Sequence, residues 1–211
     1  MLLSGWKRMV PQILAMLGVA MGLAGCEPVQ SVYPFFDSKD VIFEPQLVGE
    51  WRAMKVDENA TLAITRLGEE SNQYVVRYAF QDGSVGDKVE FTFQGYLFEI
   101  DGAPYLDLLP EKILTKPSGE TVDWEVGSGL FAAPTHTVYR SWLDAGQLKL
   151  AHLDDDQVRR FVHKKDQKVA AESKDFFLLV APTRELQSQI LANAEDEGLL
   201  DSDGLEFVRQ K

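Results

Sequence analysis

From Leu47 onward, short runs rich in aromatic and β-branched residues alternate with clusters of Asp, Gly, Ser and Pro, the pattern of a chain built from half-buried strands and tight turns. Leu47 to Val56 and Thr61 to Arg66 are the first two predicted strands. Gln73 to Phe80 follows, with Val76, Tyr78 and Phe80 on one face, and Gln81 to Asp87 supplies a glycine-containing turn. Val89 to Ile100 carries the clearest period-two alternation: Val89, Phe91, Phe93, Gly95 and Leu97 share one side, and Glu90, Thr92 and Gln94 the other. Asp101-Gly102 is a hairpin signal, from which the chain returns along Tyr105 to Leu109. Between Pro110 and Pro134 the pattern weakens to one candidate strand, Thr121 to Val126, and a Gly127-Ser128-Gly129 turn. His136 to Leu143 and Gln147 to Leu153 pair across Asp144-Ala145-Gly146, which brings the count to seven or eight strands.

The period then changes. Asp154-Asp155-Asp156 precedes Val158, Phe161 and Val162, which fall on one helical face, so the acids read as a cap and a first turn that complement the helix dipole. Lys164, Lys165 and Lys168 sit where cations favour a helix end. Phe176 to Ala181 is an apolar strand, and Pro182-Thr183 opens a second helix with Thr183 as N-cap and Leu186, Ile190 and Leu191 facing inward. That helix stops near Gly198, and Leu205 to Val208 is a closing strand. Many strands with two short late helices predict a mainly β fold, an antiparallel barrel or sandwich.

Upstream of Leu47 the chain is patterned differently. Lys7 and Arg8 precede an apolar stretch, Ile13 to Gly22, far shorter than the ~20 residues of a membrane-spanning helix. A positive start, a short apolar centre and small residues at Ala24 and Gly25 describe a removable signal segment. Residues 27 to 46 are too apolar for a solvated tether, holding Tyr33-Pro34-Phe35-Phe36 and Val41-Ile42-Phe43. Two placements follow: the segment lies along the folded domain and covers one end of it, or its aromatics sit at a lipid interface.

Leu23-Ala24-Gly25-Cys26 resembles the lipobox of bacterial lipoproteins, complete over its four positions. The resemblance implies cleavage after Gly25, a thioether-linked lipid with fatty-acyl chains such as palmitate on Cys26, and a chain divided into residues 1–25 (signal peptide), 26–46 (tether and N-terminal cover) and 47–211 (β domain). In that family Asp directly after the cysteine favours retention at the inner membrane. Here the residue is Glu27, so the resemblance implies outer-membrane anchoring facing the periplasm, if the source has two membranes.

Composition narrows the partners. A leader holding two cations and no acid takes the net charge from −12 to −14 when it is removed, and no basic cluster offsets this, so nucleic acid is an unsuitable partner and attachment to anionic lipid must come from the covalent anchor. Cys26 is the only cysteine; with its sulfur in a thioether no disulfide can form, and stability must come from packing of four Trp, six Tyr and twelve Phe.

Gly49-Glu50-Trp51, on the first predicted strand, resembles the Gly-x-Trp of lipocalins and related calycin barrels. The resemblance implies an antiparallel lipocalin-like barrel whose closed end is plugged by Trp51, with Gly49 allowing a close approach and a late arginine, Arg184 or Arg209, packed over the indole. The family's second motif, Thr-Asp-Tyr, is not present and a helix interrupts the late strands, so the likeness is to a lipocalin-like domain. Tyr33-Pro34-Phe35-Phe36 with Ser38-Lys39-Asp40, Leu47 to Trp51, and Ala181-Pro182-Thr183-Arg184-Glu185-Leu186 also resemble a group of uncharacterised bacterial lipoproteins, which implies no activity.

No catalytic constellation is complete. His136, His152 and His163 match neither an i, i+4 pair nor a Cys/His zinc spacing, and His152 continues the alternation of Leu148 and Leu150 toward the interior. Asp201-Ser202-Asp203-Gly204 lacks the remaining ligands of a calcium loop and reads as a turn. Neither a nucleophile elbow nor a phosphate-cradling loop occurs. The expectation is a protein that is not an enzyme and has no metal or cofactor. Two functions remain: a tethered barrel accommodating a small apolar molecule, such as a fatty acid or lysolipid, among Phe91, Phe93, Tyr96 and Tyr105, or a non-catalytic envelope interaction protein with a packed interior and a protein partner that the sequence does not identify.

Overall fold

The computed structural model describes residues 28–54, 60–81, 88–115, 121–123, 134–172 and 177–210. The signal segment, the lipobox with Cys26, the Asp82 to Asp87 part of the predicted turn, and the Gly127-Ser128-Gly129 turn lie outside them.

Among the described residues thirteen strands form one sheet: β1 (Gln30–Ser31), β2 (Val41–Ile42), β3 (Gly49–Ala53), β4 (Thr61–Arg66), β5 (Gln73–Gln81), β6 (Lys88–Ile100), β7 (Ala103–Thr115), β8 (Thr121–Asp123), β9 (His136–Asp144), β10 (Gln147–His152), β11 (Ala170–Glu172), β12 (Phe177–Leu179) and β13 (Leu205–Arg209). Eight of them, in the order β9-β10-β13-β3-β4-β5-β6-β7, close into an antiparallel barrel when β7 pairs back onto β9 through Leu106 opposite Tyr139. The two helices, α1 (Asp155–Lys164) and α2 (Thr183–Gln189), lie between late strands.

The alternation expected along β6 is realised: Phe91, Phe93 and Leu97 are buried inside, while Phe98, of opposite parity, joins a second core outside the wall. The inner core holds Trp51, Leu62, Ile64, Tyr74, Val76, Leu106, Leu108, Tyr139, Leu148, Leu150 and Phe207. The outer core gathers Phe35, Phe98, Tyr105, Val138 and Leu179 with Val158, Phe161 and Val162 of α1 and Leu186 of α2. The helices thus cover one stretch of wall, β6-β7-β9, which carries buried apolar residues on both faces.

Local chemistry explains the joints. Asp101 and Gly102 have positive φ of 52° and 79°, and Ala145 and Gly146 of 45° and 82°, the primed-turn geometry that two-residue hairpins need. Asp154 caps α1 as expected, its carboxylate accepting from the Gln157 N–H at 2.9 Å. The N-cap of α2 is Pro182, not Thr183; the Thr183 hydroxyl donates instead to the Pro34 carbonyl at 2.8 Å, tying the helix start to the N-terminal segment.

Where β7 was expected to stop at Leu109, it runs on to Thr115. Thr92 pairs with Lys112 but Phe93 with Pro110, so Glu111 is an extra residue, and this bulge accommodates a proline that cannot donate to the ladder. β11 and the N-terminal strands β1 and β2 carry no period of their own and were not expected as strands.

Candidate functional site

One end of the barrel is built on Gly49, Trp51 and Arg209. Trp51 is fully buried and its indole N–H donates to the Leu47 carbonyl at 3.1 Å. The Arg209 guanidinium lies 4.3 Å from the indole centroid and donates to the Val48 carbonyl at 2.8 Å and to the Gln46 carbonyl. Of the two arginines open at the sequence level, Arg209 is therefore the one over the indole. Gly49, at φ 155°, passes so close beneath that a Cβ would collide with the guanidinium. The hollow beside this plug, lined by Pro45, Gln46, Leu143, Gly146 and Arg209, is open to solvent; its volume of about 290 Å³ is at the lower limit of small-molecule sites.

Inside, Tyr74, Val76, Phe91 and Phe93 belong to one buried cluster. Gly95 marks how tightly it packs: a Cβ there would stand 2.9 Å from a Val76 methyl and 3.4 Å from Tyr74 Cβ. Burial pushes the phenols of Tyr74 and Tyr139 above the usual value; for Tyr74 a backbone hydrogen bond at Glu44 opposes the shift.

Of the four residues expected to line one cavity, the structure brings only two together. Phe91 and Phe93 are interior and 6.3 Å apart between centroids. Tyr96 and Tyr105 stand on the outer side. Tyr96 stacks on Phe36 at 4.4 Å, and Tyr105 is buried in the outer core with its hydroxyl donating to the Leu191 carbonyl at 3.3 Å. The reason is parity: Tyr96 is three residues from Phe93, and the Asp101-Gly102 hairpin sets Tyr105 opposite Phe98, itself an outward residue.

A buried polar cluster lies on that outer side, beneath the N-terminal segment. Asp107 of β7 is fully buried; one carboxylate oxygen accepts from the Phe35 N–H at 2.9 Å, and the other is 2.7 Å from Nδ1 of His136. Burial raises the Asp107 pKa, while the hydrogen bond and charge of His136 and the Phe35 N–H counter it. The sequence signal for this pair was a single carboxylate inside an apolar run, Tyr105-Leu106-Asp107-Leu108-Leu109, and it was missed.

Around this pair the N-terminal segment is woven into the sheet. Gln30 and Ser31 pair with Thr137 and His136 on one side and with Leu178 and Leu179 on the other, so β1 stitches β12 to the barrel. Val41 and Ile42 pair with Phe98 and Leu97, and Tyr74 and Glu44 exchange hydrogen bonds at 2.7 and 3.3 Å. Residues 28–47 therefore lie along the wall and reach the plugged end, the first of the two placements considered for this segment.

The histidines are far from one another in role. His136 serves Asp107, His152 packs edge-on to Tyr139 with Nδ1 3.8 Å from Asp201, and His163 lies 3.0 Å from Glu172. Asp201 accepts from the N–H groups of Asp203 and Gly204, at 3.2 and 3.1 Å, which is a turn held by its own side chain. Among the described residues no three His, Cys, Asp or Glu groups could jointly hold a metal ion, and no helix is long and apolar enough to cross a membrane. No family model, no curated protein and no solved structure matches the chain.

Proposed function

We propose that this chain is a lipid-anchored protein of the bacterial envelope whose small barrel is a packed scaffold that docks a protein partner, rather than a carrier that opens around a ligand. The lipobox Leu23-Ala24-Gly25-Cys26 supports the anchor, with Cys26 as the acylated residue and, by Glu27, outer-membrane sorting. The Gly49, Trp51 and Arg209 plug supports kinship in architecture with lipocalin-like barrels.

The observation that carries the scaffold reading is the close packing at Gly95, where a Cβ would stand 2.9 Å from a Val76 methyl. A calycin-type carrier needs a hollow of at least ~300 Å³ inside the barrel. Here the described interior holds a buried cluster that includes Tyr74, Val76, Phe93 and Leu108.

Organic extraction of purified residues 27–211 tests this directly, together with titration by a fluorescent fatty acid. The expected result is no co-purifying lipid and no saturable signal; stoichiometric lipid in the extract would overturn the scaffold reading and restore the carrier. Crosslinking in intact membranes should recover a stoichiometric protein partner. For the anchor, Cys26→Ser should move the protein out of the membrane fraction or leave it unprocessed, and unchanged membrane association would refute it.

A further inference from the structure

In the described fold the backbone is fixed from its first residue. Pro28 forms a bridge with Asp154, the Val29 N–H donates to the Leu153 carbonyl at 3.1 Å, β1 is paired on both sides, and the Val32 N–H donates to the Leu179 carbonyl at 3.0 Å. The strip that Pro28 joins is itself held by its neighbours: Asp154 N–H donates to the Leu199 carbonyl at 2.9 Å, and Leu153 bridges Leu200. Peeling the N-terminal strand away would detach β12 from β1 and remove the Phe35 N–H from the buried Asp107 carboxylate.

Only Glu27 separates Pro28 from Cys26. Two residues of fully extended chain span about 7 Å, comparable with the thickness of one headgroup layer. A Gly/Ser linker of tens of residues would let a domain tumble above the bilayer; this leash does not.

We infer that the anchored protein sits flush on the lipid surface in one orientation, with the face around Pro28, the start of α1 and Leu200 against the headgroups and the β3-β4-β5 wall turned away. The inference rests on the lipid-anchor reading and adds a direction to it. β4 lies four strands from β9 around the eight-strand circuit, so the two sides are diametrically opposed. Arg52, Thr65 and Arg77, exposed on that distal wall, belong to the surface left free for a protein partner. Asp155, Asp156 and Asp203 flank the anchored side, which sets the choice of an uncharged zwitterionic bilayer for the test.

The experiment uses the full lipidated chain carrying Asp156→Cys or Thr65→Cys. Both positions are exposed, and the sulfur of Cys26, consumed by the lipid, leaves the new thiol as the sole site for a nitroxide label. In phosphatidylcholine vesicles doped with a nickel-chelating lipid, the relaxation enhancement at 156 should exceed that at 65 several-fold. Inserting a flexible Gly/Ser linker of roughly 15 residues between Glu27 and Pro28 should bring the value at 156 down to that at 65. Equal enhancement at both sites in a chain shown by mass to be acylated overturns the orientation alone, as does an enhancement at 156 that survives the linker. An unmodified Cys26 on a chain that does not float with the vesicles overturns the anchor, and the orientation with it.

Discussion

Replacing Trp51 with alanine tests the plugged end most sharply. The indole is fully buried in the inner core, donates to Leu47 and carries the Arg209 guanidinium on its face. Deleting a large buried aromatic costs about 3 to 5 kcal/mol through lost transfer energy and the cavity left behind. Loss of the cation–π contact adds about 0.5 to 2 kcal/mol, so the upper half of the range is expected. Against a total stability of roughly 5 to 15 kcal/mol, this is a large fraction. Urea unfolding of residues 27–211, followed by circular dichroism, reads it: with a slope of ~2 kcal/mol per molar, the midpoint should fall by about 2 M. Trp51→Phe keeps the ring but strands the Leu47 carbonyl and should cost less, about 1 to 3 kcal/mol. Arg209→Ala in a double-mutant cycle with Trp51→Ala should give a coupling of about 0.5 to 2 kcal/mol. A midpoint unchanged by Trp51→Ala, or a zero coupling, would refute the plug.

Gly49→Ala should destabilise by about 1 to 3 kcal/mol, because its φ is unfavourable for a side chain and its Cβ must push Arg209 off the indole; the same urea assay measures it. Asp107→Ala strands the Phe35 N–H and should cost at least ~1 to 3 kcal/mol, whereas Asp107→Asn retains an acceptor and should cost less. Because the folded carboxyl of Asp107 titrates above its ordinary value of 3.8, its stabilising contribution is complete below that pH and is lost as pH rises through the shifted value; Asp107→Asn should abolish this part of the pH dependence in acid unfolding curves. Tyr105, pushed up from 10.0 to about 12 by burial, makes a contribution that is complete below pH 10 and lost as pH rises through 12. A spectrophotometric titration should show one late tyrosinate fewer in Tyr105→Phe.

Elements with a strong local period could be read from the residues alone. β4 and β6 fall where alternation places them, the Asp101-Gly102 hairpin sits where its signal lies, and α1 begins at its predicted acidic cap. What escaped was written in long-range partners. Gln30-Ser31 is a strand only because β9 and β12 flank it, and Asp107 is tolerable in the wall only because residues 28–36 and His136 arrive from elsewhere to satisfy it. Tyr96 and Tyr105 show the opposite case: strand parity and hairpin register by themselves put them outside, by the same rule that puts Phe91 and Phe93 inside. Pro110 ended the predicted strand for a sound local reason, but one extra residue, Glu111, let the ladder continue.

The place of β13 bears on how the chain acquires its shape. This final strand, Leu205–Arg209, is inserted between β10 and β3, and its terminal arginine completes the cap over an indole from near the start of the domain. A polypeptide emerging N-terminus first, from a ribosome or across a membrane, would hold an unclosed sheet with two raw edges until Arg209 had come out. Its contacts are then among the most distant in sequence, a topology that slows folding. Truncation at Gly204 would leave β3 and β10 as open edges with a tendency to pair between molecules.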